Sequence, residues 1–480
     1  MCENCTRREF LGTTASASLL LAAAEAAAKA GEKPNAASPP AGLPPKVRIC
    51  AIFAGAAGPA DRSWGVCEEE IAAMQNRLKE VEKKLGNVEF VVGRAAKADE
   101  AAALMKQAGD QAPVLAVNLR IGGLLAVSAP ILESARPLAV FSAPASGHDW
   151  MYPFRWRQQG KPVTMFTSSD YAELERAARL LRVVPLLRHS RVIAFLPLRG
   201  TPPACSPEKV KARLGVDVVV VSQKRFDEMM DAVDPARAQA EADQWIRGAK
   251  QVVEPTSEDV LKAARVSIAL GRLMDEEKAQ GLAVGTCMGW LSRGFPCLGF
   301  TRLRDRGIPA SCEGDMDSLW TMLLFGFAFG IPGFQGNATF DTSKNALWTA
   351  HCVGPLKMDG PQGQDAPYLL RSHSEIGGGV VPEIQYRIGQ KITRTKLVNL
   401  DTLLISTGTI REVPAKSVRA CRTQIVTEVA DAAKMVRNWG GGVLEGDMMT
   451  LLHRVVFYGD HLQSARHLAD LLNMRIVEEG

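Results

Sequence analysis

The feature that most constrains the fold is an alternation of short apolar runs with longer stretches of helical periodicity, which begins at Val47. Short apolar runs bounded by turn residues predict buried strands, and apolar residues that recur every three or four positions predict helices. In the first part of the chain, this pattern predicts a helix at residues 66–85 and strands at residues 47–53, 88–92, 114–118 and 138–141. Strands that alternate with helices indicate a parallel sheet covered by helices.

The same alternation returns after residues 150–161. Helices are predicted at residues 171–181, 207–214 and 315–329, and strands at residues 192–196, 216–221 and 281–286. We therefore expect two α/β domains, each built on a doubly wound parallel sheet, at residues 46–150 and 151–345.

The last part of the chain changes character. Runs at residues 380–388, 391–398, 402–409 and 417–427 alternate apolar with polar residues or are rich in β-branched ones. This pattern predicts an antiparallel sheet or barrel, closed by a helix at residues 463–472 and a strand at residues 475–477. The expected fold class is thus α/β, with two doubly wound parallel-sheet domains followed by a β-rich, antiparallel barrel-like C-terminal domain at residues 346–480.

The N-terminal segment has the composition of an export signal. The pair Arg7-Arg8 is followed by small or apolar residues over 13–28, interrupted only by Glu25. A charged region before an apolar stretch too short for a membrane span predicts a twin-arginine signal. Residues 1–45 are then signal and proline-rich linker, with cleavage after Ala30. We expect a bacterial protein that the twin-arginine export machinery carries to the periplasm or out of the cell.

Composition and charge narrow the range of partners. With 46% hydrophobic and 23% charged residues, the chain has the composition of an ordinary globular protein. Its net charge of +5 is spread along the sequence, so no nucleic-acid partner is predicted. No apolar stretch of membrane-spanning length follows the signal, so the mature chain is expected to have no membrane span.

The cysteines have no spacing typical of a zinc site. The chain has ten, and only Cys2 and Cys5, inside the predicted signal, lie close together. Apolar surroundings predict buried thiols at Cys50, Cys297, Cys312, Cys352 and Cys421.

A candidate site lies where the second predicted sheet meets its last helix. Residues 310–317 read Ala-Ser-Cys-Glu-Gly-Asp-Met-Asp, which places three carboxylates within five residues. Asp315 and Asp317 suit the N-terminus of the helix, where carboxylates cap free N–H groups. Glu313 precedes the helix, so we expect its side chain to project into the crevice where α/β sheets bind ligands.

Four segments of the chain resemble the L-fucose and L-arabinose isomerases. They are Cys312-Glu313-Gly314-Asp315, Gly330-Ile331-Pro332, Ala350-His351-Cys352, and His453 followed by Val-Val-Phe-Tyr-Gly-Asp at 455–460. The segments stand in the family's order between residue 281 and the C-terminus, and the N-terminal half is similar in architecture only. The resemblance implies an aldose–ketose isomerase that moves a proton between adjacent carbons of a small-molecule sugar through an enediol. It also implies a divalent metal, usually manganese, and a homo-oligomer.

The resemblance also implies roles for individual residues. Glu313 corresponds to a metal ligand and acid/base, His453 to a ligand, and His351 to a residue near the metal. The second acidic ligand of the fucose-type members corresponds to Asn337, whose carbonyl can bind a hard cation but cannot take a proton from carbon. Asp341 is the candidate replacement, although its surroundings, Phe-Asp-Thr-Ser-Lys-Asn, are also typical of a turn.

Three functions remain open at this point. The first is a metal-dependent, exported sugar isomerase-like enzyme. The second is a catalytically degenerate sugar-binding protein of the same fold, which Asn337 favours. The third is another metal-assisted carbohydrate reaction, such as epimerisation or dehydration, for which one carboxylate suffices. The metal hypothesis requires Glu313 and His453 to converge in the folded chain.

Overall fold

The structure is a computed structural model that describes residues 46–57, 64–414, 420–439 and 452–480. The predicted twin-arginine signal and proline-rich linker, residues 1–45, lie outside the described residues. Within the described ranges, no helix is both long enough and apolar enough to cross a membrane.

The first sheet is parallel and consists of β1 (Val47–Ala54), β2 (Val88–Ala95), β3 (Val114–Asn118), β4 (Leu138–Ser142) and β5 (Val163–Thr167). Their spatial order is β2-β1-β3-β4-β5. The helices of this region are α1 (Glu68–Leu85), α2 (Ala98–Ala108), α3 (Gly123–Glu133), α4 (Met151–Gln158) and α5 (Ala172–Leu181). Strand β1 is a nearly continuous apolar run because both of its faces are covered, and its alternate side chains belong to two separate apolar clusters.

The second sheet is also parallel and consists of β6 (Arg191–Phe195), β7 (Asp217–Val220), β8 (Gly281–Val284) and β9 (Ala310–Cys312), in the order β7-β6-β8-β9. The helices are α6 (Val183–Arg188), α7 (Pro207–Leu214), α8 (Gln223–Asp231), α9 (Pro235–Gly248), α10 (Ser257–Glu276), α11 (Cys297–Asp305) and α12 (Met316–Phe329). Two short 3₁₀ helices occupy Pro144–Ser146 and Cys287–Arg293.

The third sheet is mixed. Its strands are β10 (Phe334–Asp341), β11 (Ala346–His351), β14 (Lys391–Val398), β15 (Thr402–Glu412), β16 (Thr423–Glu428), β17 (His453–Tyr458) and β18 (Arg475–Glu478). Their spatial order is β14-β17-β10-β11-β16-β15-β18. Because β14 also pairs with β15, the six antiparallel strands form a closed ring. Strand β18 pairs in parallel with β15 at the side of this ring. A separate hairpin pairs β12 (Tyr368–Arg371) with β13 (Val381–Ile384), and the remaining helices among the described residues are α13 (Ala432–Asn438) and α14 (Leu462–Leu471).

The expected α/β class, with parallel sheets and a further β-rich sheet, is confirmed. The predicted boundaries between domains do not follow the sheets, however. Strand β5 lies after residue 150 but pairs with β4 in the first sheet, and β10 lies before residue 346 but pairs with β11 and β17. Sheet membership depends on pairing between distant segments, which local periodicity does not encode.

Helix α12 connects the second sheet to the barrel. Its side chains are almost all buried, because it contacts β8 and β9 on one side and β14 and β17 on the other. Phe325 stacks on Phe457 of β17 with ring centroids 4.7 Å apart. This packing holds the N-terminus of α12, and the loop that precedes it, beside the first residue of β17.

Candidate metal centre

The loop between β9 and α12 has an unusual backbone that directs Glu313 into a pocket. Glu313 and Gly314 have φ angles of 59° and 67°, in the left-handed region that residues other than glycine rarely adopt. The Gly314 N–H donates to the Val284 carbonyl, and its own carbonyl accepts from the Arg199 N–H. A Cβ atom at Gly314 would lie 2.5 Å from the Pro197 carbonyl oxygen, so the loop requires glycine there.

Two histidines converge on the Glu313 carboxylate. Nε2 of His351, the last residue of β11, lies 4.0 Å from Oε1, and Nε2 of His453, the first residue of β17, lies 3.7 Å from Oε2. The ring centroids of the two histidines are 5.3 Å apart. Both rings are buried, whereas the Glu313 side chain is 41% exposed. The structure therefore brings together three predicted residues that come from three separate segments of the chain.

Asn337 lies beside His453. The two residues pair across β10 and β17, which places their side chains on the same face of the barrel. Asn337 Oδ1 is buried and has no hydrogen-bond partner among the described residues. Buried carbonyl oxygens of this kind are nearly always satisfied, so this atom is suited to accept a ligand.

Asp341 is not brought to the site, which corrects its prediction as a catalytic residue. It is the last residue of β10, four residues beyond Asn337, and a strand advances about 3.3 Å per residue. Its Oδ1 atom accepts hydrogen bonds from the Ser343 hydroxyl and from the backbone N–H groups of Ser343 and Lys344. Asp341 is therefore the turn residue that its neighbours in sequence also favoured.

A fully buried ion pair orients His453. Asp315 Oδ2 lies 2.8 Å from Lys396 Nζ and 2.9 Å from His453 Nδ1. Burial alone raises the pKa of Asp315, but the Lys396 ammonium and His453 together hold that pKa well below its usual range. An ionised carboxylate can only accept hydrogen bonds, so Nδ1 of His453 carries the proton that it donates to Asp315. Gln335 Nε2 also lies 3.2 Å from this nitrogen. Nε2 of His453 is then left as the ligating nitrogen on the side of Glu313.

His351 is held in its neutral form by its surroundings. Burial, together with the neighbouring His453 ring and the charge of Arg304, lowers the pKa of His351 well below the usual value. Its Nδ1 atom is buried and has no hydrogen-bond partner among the described residues. A neutral imidazole is the form that binds metal ions.

The same pocket is lined by five cysteines, which are scattered in the sequence: Cys287, Cys297, Cys312, Cys352 and Cys421. The Sγ atoms of Cys287 and Cys312 are 3.3 Å apart. Hydrogen bonding from the Cys312 thiol lowers the pKa of Cys287, and the same bond, together with burial, raises the pKa of Cys312. The prediction of buried thiols is confirmed for Cys50, Cys297, Cys312 and Cys352, whereas Cys421 is half-buried.

Sequence reasoning missed the second role of Asp315 and the part played by Lys396. Asp315 does cap α12, since its Oδ1 accepts from the Ser318 N–H at 2.9 Å. The signal for Lys396 was present, because a lysine inside a predicted buried strand needs a partner. The clustering of the cysteines had no local signal, since it follows from the packing of distant segments.

No protein-family model matches the chain, and no curated protein matches it either.

Proposed function

We propose that the chain is an exported, metal-dependent sugar isomerase-like protein that interconverts an aldose and a ketose through an enediol. The observation that carries the proposal is the convergence of Glu313, His351 and His453 at the end of strand β9. Ligands of open α/β sheets collect beyond the carboxyl ends of the strands, which is where Glu313 lies. The division into two doubly wound domains and a C-terminal barrel-like domain belongs to the same proposal.

The residues present fit a divalent cation. Glu313 offers a carboxylate oxygen, His351 and His453 offer imidazole nitrogens, and Asn337 Oδ1 is a buried oxygen that lacks a partner among the described residues. Oxygen and nitrogen donors of this kind suit manganese, the ion that the resemblance implies. When bound, such an ion polarises the carbonyl and hydroxyl oxygens of a sugar.

Glu313 is the residue that we assign to proton transfer. Its carboxylate is partly exposed and can reach a bound sugar, whereas the side chains of the two histidines are buried. A single carboxylate that takes a proton from one carbon and returns it to the next is sufficient when both carbons present the same face. Asp315 and Lys396 position His453 and do not touch the substrate.

A degenerate, sugar-binding protein of the same fold is the second candidate. Asn337 favours it, because an amide in place of a carboxylate removes one negative charge and one proton acceptor from beside His453. Another metal-assisted carbohydrate reaction, such as epimerisation, uses the same residues with one carboxylate.

The remaining parts of the proposal concern location and assembly. The Arg7-Arg8 segment supports export by the twin-arginine machinery, and thus a periplasmic or extracellular protein. A homo-oligomer is proposed from the resemblance alone.

The test measures metal content and turnover in the same preparations. Metal analysis of the purified protein is expected to find one divalent ion per chain, and Glu313→Gln or His453→Gln is expected to lose it. Asp341→Asn is the matched control, because its carboxylate is held in a turn away from the pocket. Full metal occupancy in both site variants would contradict the proposed ligands.

Turnover then separates the candidate functions. Incubation with a panel of aldoses, followed by detection of ketose, is expected to show conversion that Glu313→Gln abolishes. If the wild type converts no sugar and Asn337→Asp creates conversion, the degenerate binding protein is the correct alternative.

A further inference from the structure

One wall of the pocket is made of thiols, which the proposed function does not use. Cys287, Cys297, Cys312, Cys352 and Cys421 all line it, beside Glu313, Glu375, His351 and His373. Among the described residues that line this pocket there is no lysine or arginine. The pocket therefore presents soft and anionic donors without a side-chain cation to neutralise them.

The donors at the centre of this wall lie within reach of one ion. The Cys312 Sγ atom, a carboxylate oxygen of Glu313 and a ring nitrogen of His351 all lie within 4.8 Å of one another. Cys287 Sγ is 3.3 Å from Cys312 Sγ and accepts a hydrogen bond from the Glu313 N–H. Two thiolates on one tetrahedral ion, each about 2.3 Å from it, lie roughly 3.8 Å apart. The sulfur atoms of Cys287 and Cys312 therefore need to move apart only slightly to bind one ion together.

The space and the unpaired atoms are consistent with an ion. The pocket has a volume of about 20 Å³, which is room for a single ion or water molecule. His351 Nδ1 is buried without a hydrogen-bond partner among the described residues. An oxygen donor at position 312, such as aspartate, asparagine or serine, would favour hard cations. The thiolate of Cys312 instead favours ions that prefer sulfur.

We propose that the cation bound by Glu313 and His351 is a thiophilic one, zinc in preference to manganese, with Cys312 as a third ligand and Cys287 as the fourth. The proposal deepens the metal part of the proposed function and rests on it only in requiring that Glu313 and His351 bind a cation. Manganese stands at the weak end of the affinity order of divalent ions, and sulfur donors move a site further from it.

The test uses the full chain, reduced and freed of metal with a chelator. Titration with cobalt(II), which reports its own ligands, is expected to give the near-ultraviolet absorption of thiolate-to-cobalt charge transfer. Equimolar zinc is expected to abolish that absorption, and a hundredfold excess of manganese is expected to leave it. Cys312→Ser is expected to weaken the absorption, and the double variant Cys287→Ser/Cys312→Ser to remove it. Cys67→Ser is expected to keep it, because Cys67 does not line the pocket.

A second measurement does not depend on the folding of a variant. X-ray absorption at the zinc edge of the wild-type protein is expected to show sulfur at about 2.3 Å. A shell of oxygen and nitrogen alone, or a Cys287–Cys312 disulfide in the purified protein, overturns the inference.

The outcomes separate this inference from the proposed function. Manganese binding that depends on Glu313, without a thiolate signal, refutes the thiophilic site and leaves the proposed function standing. Zinc bound through sulfur in a protein that converts no sugar supports the inference and refutes the isomerase. Binding of neither metal refutes both.

Discussion

Replacing Lys396 by methionine removes the cation from a fully buried ion pair. Lys396 Nζ lies 2.8 Å from Asp315 Oδ2, and both side chains are 0% exposed. Methionine keeps much of the length of the side chain, so the main change is that the Asp315 carboxylate stays buried without the ammonium. Removing one partner of a buried pair costs about 3–5 kcal/mol. His453 still donates to Asp315, so we expect Lys396→Met to lower the free energy of unfolding by about 3 kcal/mol at pH 7.

The pH dependence of the free energy of unfolding identifies the cause of the stability lost in Lys396→Met. In the wild type the pKa of Asp315 lies far below its usual range, so its stabilising charge is lost only as the pH falls through that depressed value. Without the ammonium this pKa rises. Protonation of the buried carboxyl then relieves the penalty, and the difference between variant and wild type is expected to shrink between pH 7 and pH 5.

The assay is urea unfolding at both pH values, combined with a double-mutant cycle. Asp315→Asn keeps the N-cap of α12, since asparagine caps helices about as well as aspartate. The double variant is expected to lose less stability than the sum of the single variants, with a coupling above about 1 kcal/mol. A loss that is equal at pH 7 and pH 5, with additive single effects, would refute the account of this pair.

Two further predictions concern the loop and a histidine outside the site. Gly314→Ala is expected to destabilise the protein by more than Gly86→Ala. Both glycines have a positive φ near 70°, but an added Cβ at Gly86 meets nothing within 4 Å, whereas one at Gly314 meets the Pro197 carbonyl oxygen. Equal shifts in melting temperature for the two variants would contradict this prediction. Burial, with the charges of Arg176 and Arg157, lowers the pKa of His467 to about 4. The unfolded chain therefore takes up the proton first, so stability is expected to fall as the pH drops from about 6.5 towards 4, and His467→Gln should flatten that part of the urea midpoint profile.

The elements that could be predicted from the sequence are those with strong local patterns. The helix predicted at residues 207–214 and the strand predicted at residues 391–398 coincide with α7 and β14, because their apolar spacing and flanking turns are local properties. Strand β10 was missed as a strand, although Phe334, Ala338 and Phe340 alternate with polar residues or glycine. Its place in the barrel depends on partners that lie far away in the sequence, at β11 and β17.

The candidate site was predicted in part. Glu313 was singled out by its position before α12, and Asn337, His351 and His453 through the resemblance. Glu313 lies beside both histidines, and Asn337 pairs with His453. Asp341 was wrongly predicted because strand β10 carries it away from Asn337 to a turn, which the turn-forming residues beside it already indicated. The thiol wall and the ion pair of Asp315 with Lys396 arise from contacts between distant segments, which no local pattern encodes.

The most direct measurement of the central claim is an anomalous difference map from a crystal of the metal-loaded protein. A single strong peak is expected within about 2.0–2.6 Å of a Glu313 carboxylate oxygen and of at least one imidazole nitrogen from His351 or His453. A loaded crystal with no peak beside Glu313, or with its peak only elsewhere, would contradict the metal centre and the function built on it.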